Sequence, residues 1–422
     1  MINQTQINSL LAYFAGKIIA KYNPLVIGIT GSVGKTSTRH AIASALSAKY
    51  SLREPEKNFN NEIGIPLTII GARGLDESGS SLLGWARIFA KAAFVAYLPQ
   101  KYPQVLVLEY GIDRPGDMDV YLDIVKPQLA VLTTIGMSHR EFFNSEEEIA
   151  FEKGKMCASL PKNGAFIYNL DDAHVAEQAK RTQAHLISFG TTPEAKISLV
   201  SVEETLQLQP STTLTIKAPT REIKVTIPVV GKAHVSAVLA AVAMAEAMEV
   251  ETDLIIKGLA TYRAVPGRLN VLAGIKRTIL IDDTYNAAPL STKEALNLLS
   301  RFPGENKIAV LGDMLELGDE SDSAHAEIGK FAAGLNLKQL ITVGELGKKI
   351  ADAAQQAGMT AVTSFNNSDE AKQHVLQMLE SESIVLIKGS QGARMEKITK
   401  ELLAEPTAAT QLLVRQYGKW VQ

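Results

Sequence analysis

One glycine-rich turn constrains this chain more than any other feature. Thr30-Gly31-Ser32-Val33-Gly34-Lys35-Thr36-Ser37 follows the apolar run Leu25 to Ile29 and opens an alanine-rich segment, Ser37 to Ala48. An apolar strand, a glycine turn and a helix in that order are the setting of a phosphate loop. Glycines let backbone N–H groups face phosphate oxygens, and the helix N-terminus adds partial positive charge. Lys35 brings a full charge to the β- and γ-phosphates, and the Thr36 hydroxyl offers an oxygen to Mg²⁺. Ile29 stands where the common pattern has its first glycine, so this loop is a variant.

A buried strand feeding such a loop belongs to a parallel sheet with helices on both faces. Further buried runs fit, at Val105 to Leu108 and Leu129 to Thr133. From Ala184 to Val230 apolar and polar residues alternate, as in Ile223-Lys224-Val225-Thr226-Ile227, which reads as a small antiparallel sheet. His234 to Met248 is an alanine-rich helix. Near Pro266-Gly267-Arg268 a second α/β unit begins. Its expected strands are 278–281, 308–311, 340–343 and 384–387, with helices near 292–300, 324–333, 346–356 and 369–379. The chain therefore divides into a first helix (1–24), a central α/β domain (25–266) and a C-terminal Rossmann-like α/β domain (267–422). No repeat or low-complexity segment interrupts it.

Composition narrows the classes of function. The chain has 422 residues, with 43 basic and 45 acidic side chains and a formal charge of -2, which argues against a nucleic-acid coat. Cys157 is the only cysteine, so there is no internal disulfide or cysteine zinc cluster, and a reducing cytoplasm fits. Met1 to Ala20 lacks the pattern of a signal peptide. Leu10 to Ile19 carries Lys17, and Leu82 to Leu98 is broken by Arg87 and Lys91. Both fall short of a membrane span and read as amphipathic helices packed on protein, in preference to helices lying on a membrane surface.

Two polar residues stand past the carboxyl ends of strands, where α/β chemistry sits. Glu109 follows Val105 to Leu108 and is a sound oxygen ligand for Mg²⁺. His139 follows Leu129 to Thr134 by a short loop; it is a poorer ligand and can instead orient a water or a phosphate.

At this point the residues resemble the Mur ligases, from about Leu25 to Leu402. The strings that carry the resemblance are Thr30 to Thr36, Asn58 to Thr68, Leu108-Glu109-Tyr110-Gly111, Thr134-Ile135-Gly136-Met137-Ser138-His139, Asp282 to Pro289, Gly312 to Gly318, and Lys388-Gly389-Ser390 followed by Met395-Glu396. Asn58 to Thr68 and Asp282 to Pro289 are most similar to the member that adds D-alanyl-D-alanine. The resemblance implies an ATP-dependent amide ligase of peptidoglycan precursor synthesis that works through an acyl phosphate. It also implies ATP and Mg²⁺ as cofactors, a nucleotide-sugar peptide as acceptor, and no nucleic acid. Other acceptors used in the superfamily (a polyglutamate, cyanophycin-like or cofactor side chain) and an ATP-binding scaffolding subunit are the competing expectations.

The family's roles then fall on matching residues. Gly31, Ser32, Val33, Gly34, Lys35, Thr36 and Ser37 would bind the triphosphate, and Arg268 and Asp283 would reach the nucleotide. Thr36, Glu109 and His139 would serve the metal. Lys153, in Ile149-Ala150-Phe151-Glu152-Lys153-Gly154, matches the family's carbamylated lysine, whose anionic CO₂ adduct can bind a second Mg²⁺. Asn60, Asn61, Asn286, Lys388 and Ser390 would contact substrate, with Asp313, Glu316 and His325 as a polar cluster for the incoming amine. The family usually has a uridine-nucleotide domain ahead of the phosphate loop. Here one helix stands there, which suggests a partner protein, a different binding mode or a different acceptor. Ala233 and Ala237 replace a usual histidine and asparagine, Lys155 a glutamate, and Gln391 an arginine, with Arg394 close by. The apolar helix around Trp85 to Val95 is expected to cover the bared sheet edge or to dock a partner.

Overall fold

A computed structural model describes residues 4–55, 59–72, 74, 82–136 and 142–420. The chain forms two compact units, one mainly of residues 1–202, 213–227 and 235–262, the other of 203–212, 228–234 and 263–422.

Nine strands are hydrogen-bonded side by side in the first sheet: β1 (Leu25–Thr30), β2 (Leu52–Arg53), β3 (Val105–Glu109), β4 (Leu129–Leu132), β5 (Ala165–Asn169), β6 (His185–Gly190), β7 (Ile197–Thr205), β8 (Ser211–Lys217) and β9 (Glu222–Ile227). Their order is β2-β3-β1-β4-β5-β6-β7-β8-β9. The pairings from β2 across to β7 are parallel. β1 lies between β3 and β4, so the loops leaving these three strands open at the same end. The alternating stretch expected between 184 and 230 continues this sheet, because β6 pairs with β5 and hands its free edge to β7. β8 and β9 form a hairpin: Ala218 N–H donates to Arg221 O, and the Thr213 and Thr226 hydroxyls lie 2.9 Å apart.

The helices that matter for the site are α1 (Gln4–Tyr22), α2 (Lys35–Leu46), α3 (Gly64–Ile70), α4 (Leu82–Tyr97), α5 (Asp117–Ile124) and α6 (Glu146–Ala158). α1 buries Ile7, Leu11, Ala15 and Ile18, a spacing of three and four that makes one helical stripe. That stripe enters the core formed by Val26, Leu106, Leu108, Ala130 and Leu132 of the sheet. α6 starts at Ser145, whose side chain accepts the Glu148 N–H, and carries Glu146, Glu147 and Glu148 in its first turn, where the helix dipole favours negative charge.

The second sheet has the order β10-β11-β15-β12-β13-β14. Its strands are β10 (Asn270–Ala273), β11 (Ile279–Asp283), β12 (Lys307–Gly312), β13 (Gln339–Val343), β14 (Val362–Phe365) and β15 (Ile384–Lys388). Only β10 runs antiparallel to its neighbour. Alternate residues serve opposite faces, as strand geometry requires. Ile281, Ala309, Leu311 and Leu386 enter one core, whereas Leu280, Ile308, Val310, Val385 and Ile387 enter the other.

Candidate active site

The phosphate loop is built from backbone that only glycine adopts easily. Gly31 has φ +147° and Gly34 φ +87°. A Cβ on Gly31 would be driven into Thr133 Oγ1 and the Thr134 backbone. The loop is strapped to the segment leaving β4: Ser32 N–H donates to Thr134 O at 2.7 Å, Thr133 Oγ1 to Val33 O at 2.6 Å, and Ser32 Oγ to Gly136 O at 2.9 Å. No side chain caps α2, and the loop leads directly into the N-terminus of that helix, whose dipole favours an anion. Lys35 Nζ arches back over the loop and donates to Gly31 O at 2.7 Å. Gly31→Ala is expected to cost about 2–3 kcal/mol, from the left-handed backbone and the clash with Thr133 together. A thermal melt read beside ADP calorimetry checks this, with binding weakened along with stability.

Thr36 and Glu109 meet where α2 begins and β3 ends. Thr36 Oγ1 lies 3.2 Å from Glu109 Oε2, and the carboxylate is 3% exposed. Arg39, one turn on, stands 3.4 Å from the same oxygen and also grips Glu54 at 2.8 Å and Pro55 O at 2.7 Å. A hydroxyl and a carboxylate at that separation suit one Mg²⁺, a hard cation that takes oxygen donors and keeps waters or phosphate oxygens on its other positions. Among the described residues no cluster of three His, Cys, Asp or Glu side chains could hold a metal without such help. His139 lies outside the described residues.

Lys153 projects from α6 and is 1% exposed. Burial holds its amine well below the usual lysine range, and the Lys35 ammonium pushes the same way against Asp113 and Glu152. Glu152 is turned elsewhere: its Oε1 accepts the N–H groups of Gly116 and Met118 at 3.0 Å, and its Oε2 holds Lys155 at 2.7 Å. A buried amine held below the usual lysine range gives up its proton more readily and is the better nucleophile toward CO₂, so Lys153 fits the carbamate that the resemblance implies.

The loop carrying Asn60 and Asn61 is pinned beside the same strand ends. Gly111 N–H donates to Asn60 O at 2.9 Å, and the Asn60 amide lies against the Cα of Gly111. Asn61 is engaged locally, because its Oδ1 accepts the Gly64 N–H at 2.9 Å and so caps α3.

In the second unit the expected residues gather at the carboxyl ends of β11 and β15. Lys388 donates to Asp283 at 2.6 Å and to Asn286 O at 2.9 Å. Ser390 Oγ accepts the Leu315 N–H at 2.9 Å. The Arg268 guanidinium stacks over the Tyr285 ring at 4.1 Å. His325 differs from the expectation of an amine contact. Its Nε2 accepts the Met314 N–H at 2.9 Å, so Nδ1 carries the proton and donates to Ser321 O at 2.6 Å. Both ring nitrogens hold the fold. Asp313 likewise accepts the Gly347 N–H at 2.7 Å, and burial raises its carboxyl.

Three side chains here were given no role by the sequence, although Asp282 stands in a string that carries the resemblance. Arg415 donates to Thr284 O and Tyr285 O and pairs with buried Glu396 at 3.0 Å, tying the chain end to the Tyr285 loop. Glu294 faces Lys388 and Asp283, its carboxyl raised by burial. Asp282 clamps the loop entry, accepting from Gly267 N–H at 2.9 Å, Thr284 at 2.8 Å and Thr399 at 3.0 Å. Burial pushes Asp282 up to about 7. Its unfolded value is near 3.9. The folded state therefore holds this proton more tightly, and the stability it contributes is full below about pH 3.9 and lost as pH rises through about 7. Asp282→Asn is expected to flatten that part of the melting temperature's fall between about pH 4 and about pH 7, read by calorimetry on both proteins.

Comparison with known proteins bears on this arrangement. Residues 29–77 and 90–245 match the Mur ligase middle domain, and residues 267–391 match the Mur ligase, glutamate ligase domain. A UDP-N-acetylmuramoyl-tripeptide--D-alanyl-D-alanine ligase of Bacillus subtilis (strain 168) is 30% identical over 383 residues, 90% of this chain and 76% of that protein. The chain belongs to the Mur ligase family. This Mur ligase is thus an ATP-dependent, ADP-forming enzyme that makes a C–N bond. The crystal structure of MurF from Acinetobacter baumannii superposes with TM-score 0.78 at 27% identity, covering 95% of this chain and 80% of that one. A Mycobacterium tuberculosis folylpolyglutamate synthase complexed with ADP shares the fold, with TM-score 0.66 at 15% identity, covering 93% of this chain and 94% of that one. No described helix of this Mur ligase is long and apolar enough to cross a membrane.

Proposed function

We propose that this Mur ligase joins D-alanyl-D-alanine to the peptide of a UDP-N-acetylmuramoyl-tripeptide, in the cytoplasm, at the expense of ATP. The single observation behind the chemistry is the convergence of a glycine amide cradle, the Thr36–Glu109 pair and a buried Lys153, whose amine burial holds below the usual lysine range, in one unit. The substrate assignment draws on relatives of that name from Bacillus subtilis and Escherichia coli (strain K12), 30% and 28% identical.

In this reading the acceptor carboxylate attacks the γ-phosphorus, the bond to the β-phosphate oxygen breaks, and ADP leaves. The amine then attacks the acyl phosphate carbonyl, phosphate departs, and the nitrogen loses a proton. Phosphoryl transfer needs alignment and charge neutralisation more than covalent help. Gly31 to Ser37 align the triphosphate, and Lys35 neutralises the oxygens as charge develops. Thr36 and Glu109, with His139 beyond the described residues, would hold Mg²⁺, which polarises the phosphoryl oxygens. Lys153 as a carbamate would supply an anion for a second ion. Arg268 and Asp283 would serve the nucleotide, and Asn60, Asn61, Asn286, Lys388 and Ser390 the substrates, within a central domain of 25–266 and a C-terminal domain of 267–422.

A matrix of acceptors and amines read by ADP release is the test. Release that requires both the muramyl tripeptide and D-alanyl-D-alanine is the expected result. Release with a folate acceptor and glutamate would instead favour a second reading, suggested by the nearly complete coverage of folylpolyglutamate synthase.

A further inference from the structure

The middle-domain match leaves three stretches of the first unit outside it, the chain before residue 29, residues 78–89 and residues 246–262. The first two hold α1 and the first half of α4, and the structure packs these two helices on each other. Lys21 Nζ donates to Leu98 O at 2.7 Å, Tyr22 OH to Val95 O at 3.1 Å, and the Tyr13 and Tyr97 hydroxyls meet at 3.1 Å. Phe14 sets its ring edge-on to Tyr97. The inward faces are a normal core, with Leu11, Ala15 and Ile18 of α1 beside Ile88, Ala92 and Val95 of α4.

The outward faces are not normal. The solvent side of a surface helix is usually polar. On α4 the outward stripe is Leu83, Arg87, Ala90, Phe94 and Tyr97, at steps of four and three. Leu83 is 66% exposed, Phe94 50% and Tyr97 59%. Leu10 and Tyr13 of α1 are also exposed. The charges are of one sign: Lys17 and Lys21 on α1, Arg87 and Lys91 on α4, and no Asp or Glu on either helix. Aromatic and aliphatic groups interleaved with Lys and Arg, on helices too short or too polar to cross a bilayer, make a face that lies in a membrane interface.

We propose that the outward face of the α1–α4 pair docks this protein on an anionic phospholipid surface. Leu83, Phe94 and Tyr97 enter the headgroup–acyl boundary, and Lys17 and Arg87 meet the lipid phosphates. A second copy of the chain is a poor occupant, because pairing this face with itself sets basic against basic. The proposal stands apart from the substrate assignment, since it uses none of the residues at the phosphate loop.

The test is co-sedimentation of the full chain with phosphatidylcholine vesicles containing about 30 mol% phosphatidylglycerol, beside vesicles of phosphatidylcholine alone. Binding to the anionic vesicles that weakens with salt is expected. Leu83→Asp with Phe94→Asp should lower the bound fraction by about tenfold or more, and so should Lys17→Glu with Arg87→Glu. Both double variants should keep the wild-type melting temperature and ADP release without vesicles, since the altered side chains are exposed. A wild-type chain that stays in the supernatant with anionic vesicles would overturn the proposal. So would equal binding by the variants, or a dimer in solution that Phe94→Asp dissociates while the vesicles capture nothing.

Discussion

Lys35→Ala should lower ADP release at saturating substrates by about a thousandfold or more, the scale on which removal of a preorganised charge at a reacting centre is felt. The side chain is already held over the loop by Gly31 O and Ser32 O, so nucleotide meets a charge that needs little reorganisation. Its loss leaves two loop carbonyls without that donor, a modest cost of about 1 kcal/mol each at a half-exposed site. The expected pattern is therefore a large fall in kcat with a small change in melting temperature. Calorimetry and a coupled ADP assay on one preparation separate the two. Near-wild-type turnover would remove the phosphate-loop assignment.

Lys153→Met should lower turnover by about a hundredfold or more, if the lysine supplies an anion to the metal site. Added bicarbonate should raise wild-type activity and leave the variant unchanged. Stability gives an independent sign. Burial depresses the folded-state amine, whereas the unfolded amine titrates near 10.4. Between those values the unfolded chain binds more protons, so stability rises with pH across that window, and the penalty of burying the amine is fully present below the folded value. Methionine fills similar volume and carries no proton. The variant should be the more stable protein at low pH, with the advantage shrinking as the solution becomes alkaline. An advantage independent of pH would show that Lys153 is not the group responsible.

Much of this arrangement was legible in the chain itself. β1, β3 and β4 announce themselves as apolar runs, and the turn after β1 names its own ligand class through Gly31, Gly34 and Lys35. The second unit reads well for the same reason, with β12, β13 and β15 each a short run of buried aliphatics. Where reading failed, the decisive contact lay far away in sequence or looked like ordinary surface. β14, Val-Thr-Ser-Phe, is a half-exposed edge strand without a clear apolar run. Arg39 looks like a solvated helix residue, yet it is 6% exposed because Glu54 and Glu109 enclose it. Asn61 was legible as part of a motif, but its role as a helix cap depends on the turn that brings Gly64 to it. His325 shows the opposite limit: a histidine in a promising string can be wholly engaged by backbone. Arg415 reaches the Tyr285 loop from the other end of the unit, and no local pattern encodes such a reach.

The first helix changes what counts as the minimal piece of this enzyme. Ile7, Leu11, Ala15 and Ile18 roof one side of the sheet, although the family match begins only at residue 29. A fragment cut at that boundary would also lose most of β1 and would leave Leu106 and Leu108 facing water. Uncovering a large aliphatic side chain forfeits roughly 1.5–3 kcal/mol, and several together approach the whole margin of a typical domain, about 5–15 kcal/mol. Anyone isolating the nucleotide-binding half should keep the leading helix, or expect a sticky, poorly folded product.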